Sequence, residues 1–87
     1  MNENVIAKAI VDAAFKVHKS LGPGLLESVY ERVLAYELDG RGLYVQRQLP
    51  IPIVYESITF DEGFRADLIV EDKVIVELKS VERVVAS

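Results

Sequence analysis

The hydrophobic period of this chain changes once, between residues 40 and 42, and that change restricts the architectures open to it. Before it, Ile6, Ile10, Ala13, Ala14, Val17 and Leu21 recur at helical spacing, with Lys8, Asp12, Lys16 and Lys19 mostly between them. The spacing predicts an amphipathic helix over residues 3–20. Asn2 or Asn4 can cap its start, Lys16, His18 and Lys19 suit its negative C-terminal end, and Gly22-Pro23 stops it. In a second helix, Leu26, Val29, Tyr30, Val33, Leu34 and Leu38 form the buried stripe, with Glu27, Glu31, Arg32 and Glu37 around it. Gly40 and Gly42 end it. From Leu43 the period is two: Leu43, Val45, Arg47 and Leu49 alternate with Tyr44, Gln46 and Gln48. Pro50 and Pro52 then confine pairing to an edge or a bend, so a strand, a bend and more strand are expected. Residues 64–79 read as a hairpin, FRADLIV and VIVELK around a tight turn at Glu71, Asp72 and Lys73. Two helices followed by three or four strands specify an α+β fold, with both helices laid on a largely antiparallel sheet.

Composition narrows the function. The 87 residues carry ten Lys and Arg against fourteen Asp and Glu, a net charge of -4, which is the wrong sign for a non-specific nucleic-acid coat. The absence of cysteine removes disulfides, thiolate nucleophiles and cysteine-based zinc sites. Glu3, Lys8, Asp12 and Lys16 interrupt every apolar run near the N-terminus before a signal-peptide core or membrane span can form, so a cytoplasmic location without membrane contact is expected. A domain this short buries only roughly 60–65% of its extended-chain surface, which favours association with a partner.

The hairpin concentrates the chemistry. With a three-residue turn, Val70 faces Val74 and Asp67 faces Glu77, and period two adds Arg65 and Lys79 to the Asp67 face. Ala66, Leu68, Val70, Val74, Val76 and Leu78 then point the other way, into a core. Opposed carboxylates repel unless something between them compensates, and a divalent cation would do so. Hard oxygen donors suit Mg2+ or Mn2+, and Lys79 could steady a water nucleophile or developing phosphorane charge. The competing reading is a solvated sheet face with cross-strand ion pairs. E-x-K alone does not decide between them, because nine Glu and five Lys predict about 0.5 chance occurrences.

The second helix adds G-x-x-E-x-x-Y, at Gly24, Glu27 and Tyr30, expected by chance only about 0.02 times. Together, HKSLGPGLLESVYE, LAYEL, QRQLPIPIVY and GFRADLIVEDKVIVELKSVE resemble the GxxExxY family of the PD-(D/E)XK nuclease superfamily, over nearly the whole chain. The resemblance implies a metal-dependent nuclease whose substrate is nucleic acid, DNA before RNA. Carried onto this sequence, it makes Asp67 and Glu77 the metal-binding carboxylates and the Leu78 backbone carbonyl a further ligand. Lys79 becomes the catalytic lysine, and Glu27 an auxiliary ligand or base. Tyr30 is an auxiliary member, its alternative role being a core-rim tyrosine with a wet hydroxyl.

The resemblance also implies an incomplete restriction-endonuclease-like core. Relatives continue past the E-x-K strand into another helix and strand, whereas residues 1–87 would form one domain without them. The exposed sheet this leaves predicts a homo-oligomer or a covering partner chain. A non-catalytic remnant that pairs with itself or another protein, and a metal-binding regulatory module, are the competing functions. His18, without a second histidine or a cysteine, reads as a structural or capping residue. Glu56, Asp61 and Glu62 read as a solvated turn, and Ser20, Ser28, Ser57 and Ser80 have no neighbouring base to activate them.

Overall fold

The structure, a computed structural model, describes residues 1–79 apart from the Glu62 side chain. Ser80 and the rest of the chain beyond Lys79 lie outside the described residues, and of the expected strand over residues 74–79 only Val74–Val76 is strand. Helix α1 spans Glu3–Leu21 and α2 spans Glu27–Gly40, followed by strands β1 (Val45–Tyr55), β2 (Ile58–Val70) and β3 (Val74–Val76). The expected α+β architecture is present. Among the described residues the sheet has three antiparallel strands in the order β1-β2-β3.

Helix α1 forms as its sequence predicts. The Asn2 side chain accepts the Val5 N–H at 2.9 Å, and Glu3 in the first turn complements the helix dipole. At the other end Gly22 takes φ 74°, a left-handed value that costs glycine little, and donates its N–H to the His18 carbonyl at 2.9 Å. Ile6, Ile10, Ala13 and Val17 are buried, and they meet Leu34, Ala35 and Leu38 of α2, Leu43, and Leu68 and Val70 of β2 in one core.

Helix α2 departs from the expected stripe. Leu34 and Leu38 are buried, and Tyr30 and Val33 pack against the core, but Leu26 is 72% exposed and Val29 40%. Glu31 and Ala35 take the inward places instead. Leu26 is the N-cap residue, outside the helical turns, so its side chain does not follow the stripe. Glu31 is held inward by strand β1: Gln48 donates its side-chain N–H to Glu31 Oε2 at 2.9 Å, and Arg47 Nε lies 3.2 Å from Oε1.

In the sheet, Val70 pairs with Val74 and Leu68 with Val76, the register of a three-residue turn. Glu71 and Asp72 are both left-handed there, and the Glu71 carboxylate is tied to the Tyr44 N–H at 2.7 Å. Strand β1 spans both Pro50 and Pro52, where an edge or a bend was expected. It borders only β2 among the described residues, and an edge strand tolerates residues that cannot donate on their outer side. The register shifts between Ile51 and Ile53, at Pro52 itself, opposite extra residues of β2. Gly63 lies there, and a Cβ on it would collide with the Ile53 side chain, so the crossing favours glycine. Past this point Ile53, Val54, Tyr55, Ile58 and Phe60 are all exposed.

Candidate active-site cleft

Two stretches of chain remote in sequence, residues 18–30 and 77–79, line a cleft of about 460 Å3. The end of α1 contributes His18, the connection contributes Gly22 to Leu25, α2 contributes Glu27 and Tyr30, and the segment after β3 contributes Glu77, Leu78 and Lys79. Its volume lies within the roughly 300–1,000 Å3 of small-molecule sites. The G-x-x-E-x-x-Y and E-x-K motifs, separate in sequence, thus line one cavity. Glu27 opens the first turn of α2, where a carboxylate is favoured by the helix dipole, and Tyr30 follows one turn later on the same side.

Asp67 stands on β2 beside this cleft rather than in its lining. Its half-buried Oδ2 accepts the Leu78 N–H at 2.8 Å. That bond extends the β2–β3 association past the last ladder pair, Leu68 with Val76, and holds the segment carrying Glu77, Leu78 and Lys79 against Asp67. Leu78 itself packs against the core, so Glu77 and Lys79, one position to either side, are turned to solvent. Arg65, predicted on the Asp67 face, is exposed, pairs with Pro50 across the sheet and does not line the cleft.

The Tyr30 hydroxyl donates to the Ala14 carbonyl at 2.9 Å, joining α2 to α1. Its ring is partly buried against the core, so the core-rim description fits, although the same ring also lines the cleft. His18 was read from sequence as a structural residue. Its backbone carbonyl does cap α1, but its exposed side chain lines the cleft with Glu27 and Lys79. The available signal was position: His18 lies one turn before the helix stop, and the chain reverses there to bring Glu27 nearby.

The residues fit a hard cation within limits. Among the described residues no group of three or more His, Asp or Glu is disposed to hold an ion, so Glu27, Asp67 and Glu77 do not form a closed three-carboxylate shell. Magnesium and manganese need less: one or two carboxylates, with waters and phosphate oxygens completing the set. The Leu78 N–H leaves Asp67 a second carboxylate oxygen for such a role.

An α+β domain with this hairpin, carrying an acidic residue on one strand and E-x-K after the next, belongs to the nuclease-like class of folds. A family model described as the PD-(D/E)XK nuclease superfamily matches residues 4–87, and the chain belongs to that superfamily. No curated protein and no solved structure matches it significantly. Among the described residues no helix is long and apolar enough to cross a membrane.

Proposed function

We infer that this chain is a divalent-metal-dependent nuclease that hydrolyses phosphodiester bonds, of DNA before RNA, and that it acts in the cytoplasm. One observation carries the reading: Glu27, Glu77, Leu78 and Lys79 share one cleft, and Asp67 is bonded to the backbone between Glu77 and Lys79. Membership of the superfamily supports it, and G-x-x-E-x-x-Y supports the GxxExxY assignment within it.

Asp67 and Glu77 would hold Mg2+ or Mn2+, with the Leu78 carbonyl and Glu27 as further donors. Such a cation supplies positive charge against the phosphate oxygens. Lys79 presents an ammonium to the phosphate, where a preformed donor is effective because it needs no reorganisation as charge develops. Glu27 accepts a proton from water or orients it, and Tyr30 keeps the Glu27 turn in place through its bond to Ala14. The two acidic cleft residues repel a bare phosphate, so substrate binding should depend on the cation as well as on Lys79.

The test is Mg2+- or Mn2+-dependent cleavage of plasmid, single-stranded DNA and RNA. Asp67→Ala, Glu77→Ala and Lys79→Ala should each lower the rate by roughly 100-fold or more. Activity persisting in all three variants would sink the assignment. A second reading, an interaction domain that pairs with itself or with a partner chain, draws on the exposed Ile53, Val54, Tyr55, Ile58 and Phe60 of the distal β1–β2 ribbon. A concentration-dependent mass in sedimentation, with no cleavage by the parent chain, would favour it.

A further inference from the structure

The geometry points to His18 as a substrate-binding residue of the cleft, donating an imidazole N–H to a phosphate oxygen of the strand next to the phosphate that Lys79 engages. This assignment rests on the nuclease reading above and adds to it a residue and a second contact point.

The donors and acceptors of the cleft lead to it. Glu27 and Glu77 as carboxylates can only accept hydrogen bonds. The Tyr30 hydroxyl hydrogen is already donated to the Ala14 carbonyl. Among the described residues, Lys79 and His18 are therefore the two whose side chains line the cavity and can donate to a phosphate. They come from different elements, the segment after β3 and the last turn of α1. A strand crossing between them would be gripped at two points, which sets its direction through the cleft as well as its affinity.

The local fold prepares His18 for this contact. Its carbonyl accepts the Gly22 N–H, which sets the backbone of the last helical turn and leaves the imidazole exposed at the cavity wall. Imidazole presents at least one N–H in either protonation state, so the contact does not depend on its charge. A chain with a net charge of -4 has no general attraction for nucleic acid, so placed donors must supply what overall charge does not. The cleft, about 460 Å3, has room for one nucleotide unit with its phosphates rather than for a duplex, which favours a single strand or an opened end.

His18 is the single histidine of the chain, so its imidazole resonances report on this position alone. A phosphorothioate-linked single-stranded thymidine hexamer is titrated in Mg2+, with imidazole signals followed by NMR and occupancy measured separately by fluorescence anisotropy. The imidazole signals should move in step with occupancy, and thymidine nucleoside, which has no phosphate, should leave them in place. His18→Ala should weaken hexamer binding about 10-fold, the loss for a hydrogen bond to a charged group, and His18→Gln should restore most of it by keeping an N–H donor. Lys19→Ala removes a full charge beside His18 but outside the cleft lining and should weaken binding less. Unmoved imidazole signals at full occupancy, or His18→Ala binding as tightly as the parent, would overturn the assignment while leaving the nuclease reading intact. A parent chain that neither binds the hexamer nor cleaves nucleic acid overturns both.

Discussion

Replacing Arg47 with Met tests whether a buried carboxylate organises the seat of α2 on the sheet. The Glu31 side chain is 6% exposed and Arg47 is 40% exposed. Glu31 Oε2 accepts from Gln48, while Oε1 has no hydrogen bond among the described residues and relies on Arg47 Nε at 3.2 Å. Breaking a fully buried ion pair from one side costs roughly 3–5 kcal/mol, because the remaining charge is left in a poor solvent. Arg47 is open to water, so its removal admits some solvent to Oε1, and a loss of about 2–3 kcal/mol is expected. An 87-residue domain holds only roughly 4–13 kcal/mol in total, so the variant should lose a large share of its stability. The melting temperature should fall by about 10–20 °C. Urea denaturation followed by circular dichroism measures the change through a lower midpoint at unchanged slope. Arg47→Met with Glu31→Leu removes both the charge and its partner and should recover most of the loss. Lys8→Met breaks a pair whose side chains are 78% and 51% exposed and should change stability by less than about 0.5 kcal/mol. An Arg47→Met protein within about 0.5 kcal/mol of the parent, or a double variant no better than the single, would refute the reasoning.

Three further perturbations address other parts of the molecule. Tyr30→Phe removes the bond to the Ala14 carbonyl and should cost about 1 kcal/mol in urea denaturation, leaving cleavage within a few-fold of the parent if the hydroxyl only joins the helices. Gly63→Ala places a methyl against Ile53 Cγ1 and 2.7 Å from its Cβ and should cost about 1–3 kcal/mol, with Ile53→Ala recovering only part because the Cβ contact persists. Glu37 is held below the ordinary glutamate value of 4.5 by hydrogen bonds from Arg41 and then Lys16, so its folded form favours the carboxylate. Its stabilisation is therefore complete above that pH and fades as pH falls through the lowered value. The stability difference between the parent and Glu37→Gln should shrink on acidification, and a difference that grew instead would exclude this linkage.

Much of the fold and part of the cleft were legible in the sequence because they depend on residues close together along the chain. Helical spacing located α1 and α2 nearly to the residue, and the Asn2 cap and Gly22 stop are local backbone chemistry. Period two with a three-residue turn placed Val70 opposite Val74. That register then determined which residues near Asp67 face the core and which do not. The motif G-x-x-E-x-x-Y also contained the pairing of Glu27 with Tyr30 on one side of a helix.

Tertiary structure decided what depended on how separate elements meet. The apolar stripe of α2 is wide enough to permit several rotations, and the choice that buries Glu31 and exposes Val29 is made with Gln48, 17 positions away. Likewise the Tyr30 hydroxyl finds its partner in Ala14, 16 positions back, and His18 joins the cleft because the connection after α1 reverses the chain and brings the start of α2 beside it. A periodic pattern specifies which face of an element avoids water, but not which polar group on the neighbouring element that face will meet. The sequence by itself therefore determined the elements, the hairpin register and the motif residues. The packing of helix against sheet determined that those motifs share one cleft, and that a histidine lines it with them.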